Sequence, residues 1–411
     1  MTFEEQERID AITRYTKGER AVKIFQDLNR SKRWFFKWLN RFKTGDEDWY
    51  KSQSKAPKKH GKAIPYEIEQ AVTTIRKALM EAIEEESKYL GVGADAILYR
   101  MEKLSFPKDE IPSVSTIKRV IKKQGLKVNK RERYKRVRSK KRYTRLNPTQ
   151  INEVHQMDYV GPRFIKGYGA ISSLHLIDVV SNQIHVRQYD SKSMDNVLEF
   201  LIQVWKKKSI PLYLQVDNGM SFIGDYRTAR SFSRVMRLCL YVGVELVFIA
   251  PREPWMNGSI ENFNGWFDTK FWTKETFHNL EDMRLKSNPF ESQFNELNTW
   301  KKRNKGLLKV TPERILKEIV EINYNELPLI EGKIHFIRKV GADGKVTILN
   351  EQFKIGGEFI GEYVWTTICL TNQRMIVYYR AQDEDVARVI KEEEYNVKEE
   401  VKPIKEDLWT S

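Results

Sequence analysis

Residues 155–161 read HQMDYVG, within a stretch that alternates hydrophobic and polar residues as a β-strand does. Asp158 occupies a position at which this alternation favours an uncharged side chain. The strand, predicted over 152–160, opens a region of strands and helices. Further strands are predicted at 170–180, 184–189, 212–216 and 245–249, and helices at 194–207, 228–242, 260–273 and 280–302. This order predicts an α/β domain at 150–320, with a mixed sheet flanked by helices.

Two further acidic residues stand beside predicted elements of the same domain. Asp217 follows a predicted strand, at the carboxyl end where α/β sheets place their sites, and it precedes an Asn-Gly pair. Glu261 opens a predicted helix, for which Ser259 is the expected N-cap. Each signal is weak alone, since an Asp-Asn-Gly sequence is more often a turn than a set of ligands. The signal is strong when all three residues occur in order within one α/β domain.

Grouped carboxylates suit displacement at phosphorus. Two divalent ions about 3.5–4 Å apart stabilise both the attacking and the leaving oxygen when carboxylates flank them. Mg²⁺ prefers oxygen ligands and keeps part of its water shell, so a few carboxylates suffice. Asp158, Asp217 and Glu261 are therefore candidate catalytic residues and candidate ligands of Mg²⁺ or Mn²⁺, with two ions expected.

Residues 1–50 predict an all-α helix-turn-helix domain. Apolar residues recur at helical spacing through 5–43, and Ser31 is the expected N-cap of the last helix. That helix carries basic and no acidic side chains, which favours DNA contact over a helical bundle without a nucleic-acid role. Its candidate DNA contacts are Arg33, Lys37 and Arg41. A polar stretch at 51–63 predicts a linker.

A second helix-turn-helix domain is predicted at 64–126, although a purely structural helical pair remains an alternative. Its last helix runs from Ser115 to about Gln124, and Gly125 is the expected C-cap. The candidate DNA contacts of this helix are Lys118, Arg119 and Lys122.

A basic linker is predicted at 127–149. From Lys118 to Arg145 the sequence has fifteen Lys or Arg and one acidic residue, Glu132. Such a run is often a solvated tail, but one that joins two modules suits a segment that grips phosphates. The candidate DNA contacts in it are Lys130, Arg131, Arg133, Lys135 and Arg136.

The composition fits a nucleic-acid partner and a reducing compartment. The chain has 72 Lys and Arg against 56 Asp and Glu, a net charge of +16, which suits a polyanion. Cys239 and Cys369 lie far apart in sequence, so neither a zinc site nor a disulfide framework is predicted. No signal-peptide pattern and no membrane-spanning apolar run is found in the sequence. We expect a soluble cytoplasmic protein, nucleoid-associated in a prokaryote, with no membrane partner.

Residues 331–393 revert to short strands separated by turn signals, such as the Gly-Ala-Asp-Gly at 341–344. Short strands at this spacing predict a small C-terminal β-barrel. The charged tail at 394–411 is expected to be loose.

Three motifs together resemble the DDE integrase core, which retroviral integrases share with integrase-like transposases of bacterial insertion sequences. The motifs are HQMD at 155–158, VDNG at 216–219 with Phe222, and PWMNGSIENFN at 254–264. The resemblance covers about 150–316 and continues with Asp178, Ser181 and the Thr-Pro-Glu at 311–313. It implies an RNase H-like fold and Mg²⁺-dependent cutting and joining at the ends of a mobile element. Element-end and target double-stranded DNA and a homo-oligomer on DNA are the implied partners, and Asn218, Gly219, Asn257 and Asn264 are expected to support the site.

The sequence departs from this family in two places. Forty-three residues separate Asp217 from Glu261, a longer spacing than usual, with 224–236 as the expected insertion. Asp268 stands where the family commonly has a basic residue after the glutamate, and Lys270 is the nearest candidate for that DNA contact. Two other classes remain open: an inactive, transposase-derived DNA-binding regulator, and an RNase H-type nuclease that cuts without joining. Intact acidic residues at all three positions disfavour the first, and paired DNA-reading domains disfavour the second.

Overall fold

The chain divides into two compact units, Met1–Ile64 and Pro65–Ser411. The computed structural model describes residues 1–53, 64–128, 143–224, 227–304, 313–381, 383–405 and 408–410. Within these ranges, no helix has the length and apolar character needed to cross a membrane.

The first unit is a three-helix domain. Its helices are α1 (Phe3–Thr16), α2 (Ala21–Asp27) and α3 (Lys32–Lys43). The Ser31 side chain accepts a hydrogen bond from the Trp34 backbone N–H at 3.1 Å, which confirms the predicted N-cap. The helices bury one apolar face each around a common core of Ala11, Ile12, Ile24, Phe35, Trp38 and Leu39. The basic side chains of α3 are left on the opposite face.

The second unit begins with three more helices: α4 (Tyr66–Glu81), α5 (Ala94–Lys103) and α6 (Val114–Lys123). The Ser113 hydroxyl caps α6 by accepting from the Thr116 backbone N–H at 3.3 Å. Helix α6 buries Ile117, Val120 and Ile121, so its basic side chains face away from the core.

A nine-stranded mixed sheet forms the centre of the second unit. The strand order is β13-β12-β11-β8-β5-β4-β1-β2-β3, in which β1, β4, β5 and β8 run parallel and the outer neighbours pair antiparallel. The strands are β1 (Val154–Ile165), β2 (Gly169–Asp178), β3 (Ile184–Tyr189), β4 (Tyr213–Val216), β5 (Glu245–Phe248), β6 (Ile315–Leu316), β7 (Leu329–Ile330), β8 (Lys333–Lys339), β9 (Lys345–Ile348), β10 (Glu351–Lys354), β11 (Tyr363–Cys369), β12 (Arg374–Tyr379), β13 (Arg388–Glu394), β14 (Val401–Lys402) and β15 (Trp409–Thr410).

Helices cover the two faces of this sheet. They are α7 (Met194–Lys207), α8 (Met220–Ile223), α9 (Arg234–Tyr241), α10 (Gly258–Phe267) and α11 (Leu280–Asn304). Two apolar cores result, one with α7 and α9 around Trp205 and Phe248, and one with α10 and α11 around Phe263 and Phe290. Helix α10 begins before Ser259, and its N-cap position is Asn257, so the predicted cap at Ser259 is wrong by two residues.

Helices α4 to α6 are not separate from this α/β body, contrary to the independent domain that the sequence predicts at 64–126. The Tyr89 side chain, between α4 and α5, belongs to the same buried cluster as Phe263 and Phe290. Helix α5 contacts α11 through Tyr99, whose hydroxyl donates to Glu296 at 2.9 Å. Residues 65–126 therefore belong to the second unit.

The predicted C-terminal β-barrel is a second difference. Strand β8 pairs parallel with β5, and β11, β12 and β13 continue the sheet outward. Five successive residues of β8, from Ile334 to Arg338, are buried, as expected of a strand that is covered on both faces. A periodicity of two identifies strands but not their partners, so the sequence pattern could not distinguish a barrel from an extended sheet.

The tail is also ordered over its described residues, contrary to expectation. Strand β14 pairs with β7 and β15 pairs with β6, while Leu408 is buried in the main core. Arg237 and Glu399 form an ion pair at 2.5 Å that adds a further attachment. Apolar residues within the charged tail therefore fix it to the α/β body.

Candidate active site

Asp158 and Asp217 lie on neighbouring parallel strands at the same edge of the sheet. Strand β1 pairs with β4 in a register that places Gln156 opposite Gln215. Two residues further along, this register brings Asp158 beside Asp217, the first residue after β4. Both side chains are half-buried. Parallel pairing thus brings together two carboxylates that stand far apart in sequence.

Glu261 approaches the same place from above the sheet. It lies in the first turn of α10, on an exposed position. Asn264, about one turn further along the same helix, donates its side-chain N–H to Asp158 Oδ2 at 2.9 Å. Helix α10 is therefore seated directly over β1, with Glu261 next to the two aspartates.

The three carboxylates affect one another electrostatically. Burial raises the pKa of Asp158 to about 7, and the charges of Asp217 and Glu261 add to that rise. Burial also raises the pKa of Glu261, with a further contribution from Asp217. A group of carboxylates that repel one another in this way is stabilised by a proton or by a cation placed among them.

The side-chain amides of Gln156, Gln215 and Asn257 hold the start of α10 against strands β1 and β4. Gln156 Oε1 accepts from the backbone N–H groups of Ser259 and Ile260, at 3.0 and 3.1 Å. Gln215 donates to the Met256 carbonyl at 2.9 Å, and Asn257 donates to the Met157 carbonyl at 3.3 Å. Asn257, an expected supporting residue, is thus in place. Sequence reasoning missed both glutamines, although each stands two positions before one of the candidate aspartates.

His175 is another residue that sequence reasoning missed. It lies opposite Asp158 in the β1–β2 register, and burial lowers its pKa to about 4, so the ring is neutral. With the proton on Nδ1, it donates to Asn264 Oδ1 at 2.8 Å. This bond orients the Asn264 amide so that its N–H group points to Asp158. Asn264, predicted as a supporting residue, therefore acts within a His175–Asn264–Asp158 chain of hydrogen bonds.

The loop after β4 is held by the C-terminal strands. The Gly219 backbone N–H donates to Asp217 Oδ1 at 2.8 Å, and the Asn218 amide donates to the Ile249 carbonyl at 2.6 Å. Arg338, buried on β8, donates to Asn218 Oδ1 at 2.9 Å. Asn218 and Gly219, predicted as supporting residues, thus form the loop that bears Asp217, and Arg338, from outside the predicted domain, bonds to that loop.

A cleft of about 580 Å³ opens beside Asp217. The Asp217 loop and residues 250–254 form two of its walls, and Arg338 and the β9–β10 hairpin form a third. The aspartate is therefore open to a ligand on this side, and the C-terminal strands shape the approach to it.

The donor set fits a hard divalent cation by its chemistry, since it consists of carboxylate oxygens that repel one another. Within the described residues, however, no group of three or more His, Cys, Asp or Glu side chains is already arranged to hold a metal ion. The exposed Glu261 side chain would have to turn toward the aspartates to complete such a set.

Two other motif residues have structural roles. Asp178, at the end of β2, accepts from the Asn152 backbone N–H at 2.7 Å and from the Ser181 backbone N–H. It therefore closes the turn before β3. Asp268 pairs with Arg163 of β1, and the Arg163 guanidinium also lies 5.1 Å from the Trp272 ring centroid. Lys270, the predicted DNA contact, is half-buried in the turn that follows α10.

The predicted DNA contacts of the helical regions lie mostly on exposed faces. Arg33 and Lys37 are exposed on α3, whereas Arg41 donates to the Lys51 carbonyl at 3.0 Å and so also has a structural role. Lys118, Arg119 and Lys122 are exposed on α6. The remaining candidates lie outside the described residues: Lys130, Arg131, Arg133, Lys135 and Arg136.

A family model for a homeodomain-like domain matches residues 3–50, which are the residues of α1 to α3 and the segment after them. An alanine racemase from Clostridium perfringens (strain SM101 / Type A) is 26% identical over 99 residues, which are 24% of this chain. The chain spans only 25% of the length of that curated relative.

Several solved structures are similar over part of the chain. The HTLV-2 integrase catalytic core domain in complex with magnesium, dimeric form, has 15% identity and a TM-score of 0.25, covering 36% of this chain and 85% of that one. The BIV integrase catalytic core domain has 17% identity and a TM-score of 0.26, covering 38% and 99%. The simian T-cell lymphotropic virus intasome in complex with PP2A regulatory subunit B56 gamma has 10% identity and a TM-score of 0.30, covering 73% and 99%. At these values the similarities carry no argument about function, which has to come from the site itself.

Proposed function

We propose that this chain is a DDE-type DNA transposase or integrase that cuts and joins DNA at the ends of a mobile element. The observation that carries this proposal is the pairing of β1 with β4, which brings Asp158 beside Asp217, together with the helix that bears Glu261 and bonds to Asp158 through Asn264. The two aspartates lie at the carboxyl edge of parallel strands, an open cleft adjoins Asp217, and the exposed Glu261 side chain would turn toward them to complete the set. Their order and context are those of the DDE motifs, which supports an RNase H-like assignment of the α/β body.

The chemistry of these residues suits phosphoryl transfer with Mg²⁺ or Mn²⁺. Asp158, Asp217 and Glu261 would hold the ions, which, when bound, supply stabilisation of the attacking and leaving oxygens. Asn264, oriented by His175, fixes the Asp158 carboxylate, and Arg338 with Asn218 fixes the Asp217 loop. These contacts hold the carboxylates in place before substrate binds, so that less reorganisation is needed during the reaction.

The helical regions supply DNA contacts in this proposal. The exposed basic faces of α3 and α6 would bind element-end DNA, and each lysine or arginine on a phosphate would release counterions. The homeodomain-like match over residues 3–50 supports this role for α1 to α3. Two DNA-reading helices also favour an enzyme that selects defined ends over a structure-selective nuclease.

The test uses the full chain and DNA that carries the sequences flanking its gene. Asp158→Asn, Asp217→Asn and Glu261→Gln should each abolish cleavage and joining with Mg²⁺ while DNA binding stays near wild type. Glu199→Gln is the matched control, because Glu199 is a partly exposed carboxylate on α7 of the same body whose hydrogen bond to Gln203 an amide can replace. Binding without cleavage by the wild-type chain would identify a regulator, and cleavage without joining would identify a nuclease.

A further inference from the structure

The contact between the helices α4 to α6 and the α/β body is built in the manner of a protein core. Tyr89 is 3% exposed, and its ring lies 5.9 and 5.6 Å, centroid to centroid, from Phe271 and Phe290. Its hydroxyl donates to Glu275 at 2.7 Å, and its backbone N–H donates to Gln293 at 3.0 Å. A buried aromatic ring with both polar groups satisfied fixes orientation as well as position.

A second group of contacts lies along α11. The rings of Tyr99 and Trp300 meet at 5.7 Å, and the Trp300 indole N–H donates to Glu102 at 2.6 Å. Glu296 accepts from the Tyr99 hydroxyl and also pairs with Lys103 at 3.4 Å. Two separate anchor points prevent the three helices from pivoting on α11, so α6 has a fixed place relative to the catalytic carboxylates.

Basic side chains gather where these two parts meet. Lys270 and Lys274 follow Glu261 along α10 and its continuation, and Lys270 Nζ lies 5.9 Å from the Trp266 ring centroid. The same ring touches the loop between α4 and α5, since a Cβ built on Gly91 would lie 2.7 Å from Trp266 Cη2. Burial lowers the pKa of Lys270, and the charges of Lys274 and of Arg76 on α4 lower it further.

Neither Lys270 nor Lys274 forms an ion pair within the part of the chain that the structure describes. Mutual repulsion between half-buried cations is unfavourable, and a phosphate group beside them would relieve it. Arg76 lies on α4, which packs against α6, and Lys270 follows Glu261 by nine residues, so the cluster links the helices that include α6 to the segment that carries Glu261.

We propose that α6 and the three carboxylates of one protomer act on the same DNA end, with Lys270 and Lys274 holding the backbone between them. This inference rests on the proposed function. Because α6 cannot move independently, the bases that it reads determine which phosphate reaches Asp158, Asp217 and Glu261. The alternative is that α6 of one protomer delivers its DNA end to the carboxylates of another.

A mixing experiment separates these arrangements. One variant carries Lys118→Ala, Arg119→Ala and Lys122→Ala, and the other carries Glu261→Gln, both in the full chain. If α6 and the carboxylates act on one end, an equimolar mixture should stay within about twofold of the summed activity of the two variants alone. Recovery of about tenfold or more above that sum would overturn the inference. Capture through two different tags verifies that mixed assemblies form.

A cross-linking measurement tests the same inference without catalysis. Lys270→Cys is combined with Glu261→Gln and mixed with DNA ends whose backbone carries a thiol at successive positions. The cross-link should form at one or two adjacent phosphates and should be lost when Lys118, Arg119 and Lys122 are also replaced by alanine in the same chain. The alanine-substituted chain is also tested in a mixture with a chain that keeps Lys118, Arg119 and Lys122. If that second chain restored the cross-link to the alanine-substituted chain, the inference would be overturned. Absence of cleavage by the wild-type chain would instead count against the proposed function, and the cross-link pattern would still test the placement of α6.

Discussion

Replacing Asp158 by asparagine should stabilise the metal-free protein, and the gain should grow with pH. The side chain keeps its shape, and its oxygen can still accept the hydrogen bond from Asn264. What disappears is a carboxylate whose pKa burial, Asp217 and Glu261 raise from 3.8 to about 7. A raised carboxylate pKa means that the folded protein takes up a proton that the unfolded chain releases, so wild-type stability falls as the pH rises through this interval.

The size of the effect follows from that shift. At about 1.36 kcal/mol per pKa unit, the ionised Asp158 costs at most about 4 kcal/mol of folding free energy above pH 7. At pH 5 the cost is about 1.7 kcal/mol, and it falls to about 0.4 kcal/mol at pH 3.8. The advantage of Asp158→Asn should therefore grow by roughly 2.5 kcal/mol between pH 5 and pH 8, and a smaller increase is expected if the site relaxes.

Urea unfolding with EDTA at pH 5, 6, 7 and 8, followed by circular dichroism, measures this difference. Glu199→Gln serves as control, and its effect should change little over the same range. Added Mg²⁺ should stabilise the wild type at pH 8 and should stabilise Asp158→Asn much less. The reasoning would be refuted if Asp158→Asn gave the same change at every pH, or if it destabilised the protein at pH 8.

Three further outcomes follow from the site. Asn264→Ala removes a hydrogen bond that lowers the pKa of Asp158. The midpoint of the pH–rate profile of Mg²⁺-dependent cleavage should therefore move to higher pH. A midpoint that stayed in place or moved to lower pH would contradict this role of Asn264. Arg338→Met removes the hydrogen bonds to Asn218 Oδ1 and to the Thr347 carbonyl, each worth ~1.5–3 kcal/mol as a charged hydrogen bond. It should lower the cleavage rate with little change in DNA affinity, which single-turnover kinetics and a filter-binding assay would measure. Gly91→Val places a side chain against Trp266 and should broaden the distribution of cleavage positions on a sequencing gel, whereas the same substitution at the open Gly93 should not.

The elements of the α/β body could be predicted because their patterns are local. Strand 184–189 and helix 194–207 have the bounds that the sequence predicts, since each carries a regular apolar period between polar turns. The three acidic residues could be selected as candidates because their neighbours form motifs. The partner of β8 could not be predicted, because pairing depends on which sheet edge is free in the folded chain.

Contacts made by single side chains were equally hidden. Tyr89 stands in a short polar segment with no period, and nothing local indicates its contact with Gln293, 204 residues further along the chain. His175 sits in a regular strand, and its bond to Asn264 depends on the register between β1 and β2. Arg338 acts at the Asp217 loop only because the sheet continues beyond β5. In each case the decisive neighbour comes from tertiary pairing.

The position of β8 next to β5 has a consequence for synthesis of the chain. On the ribosome, Asp158, Asp217 and Glu261 all emerge before Lys333, the first residue of β8. Until β8 arrives, β5 is an open edge, and the loop that bears Asp217 lacks its contact with Arg338. A nascent chain, or one truncated before β8, would thus carry all three acidic residues without the contact that holds the Asp217 loop in the proposed site. The last fifth of the chain, from β8 onward, therefore completes the proposed site only when translation is nearly finished.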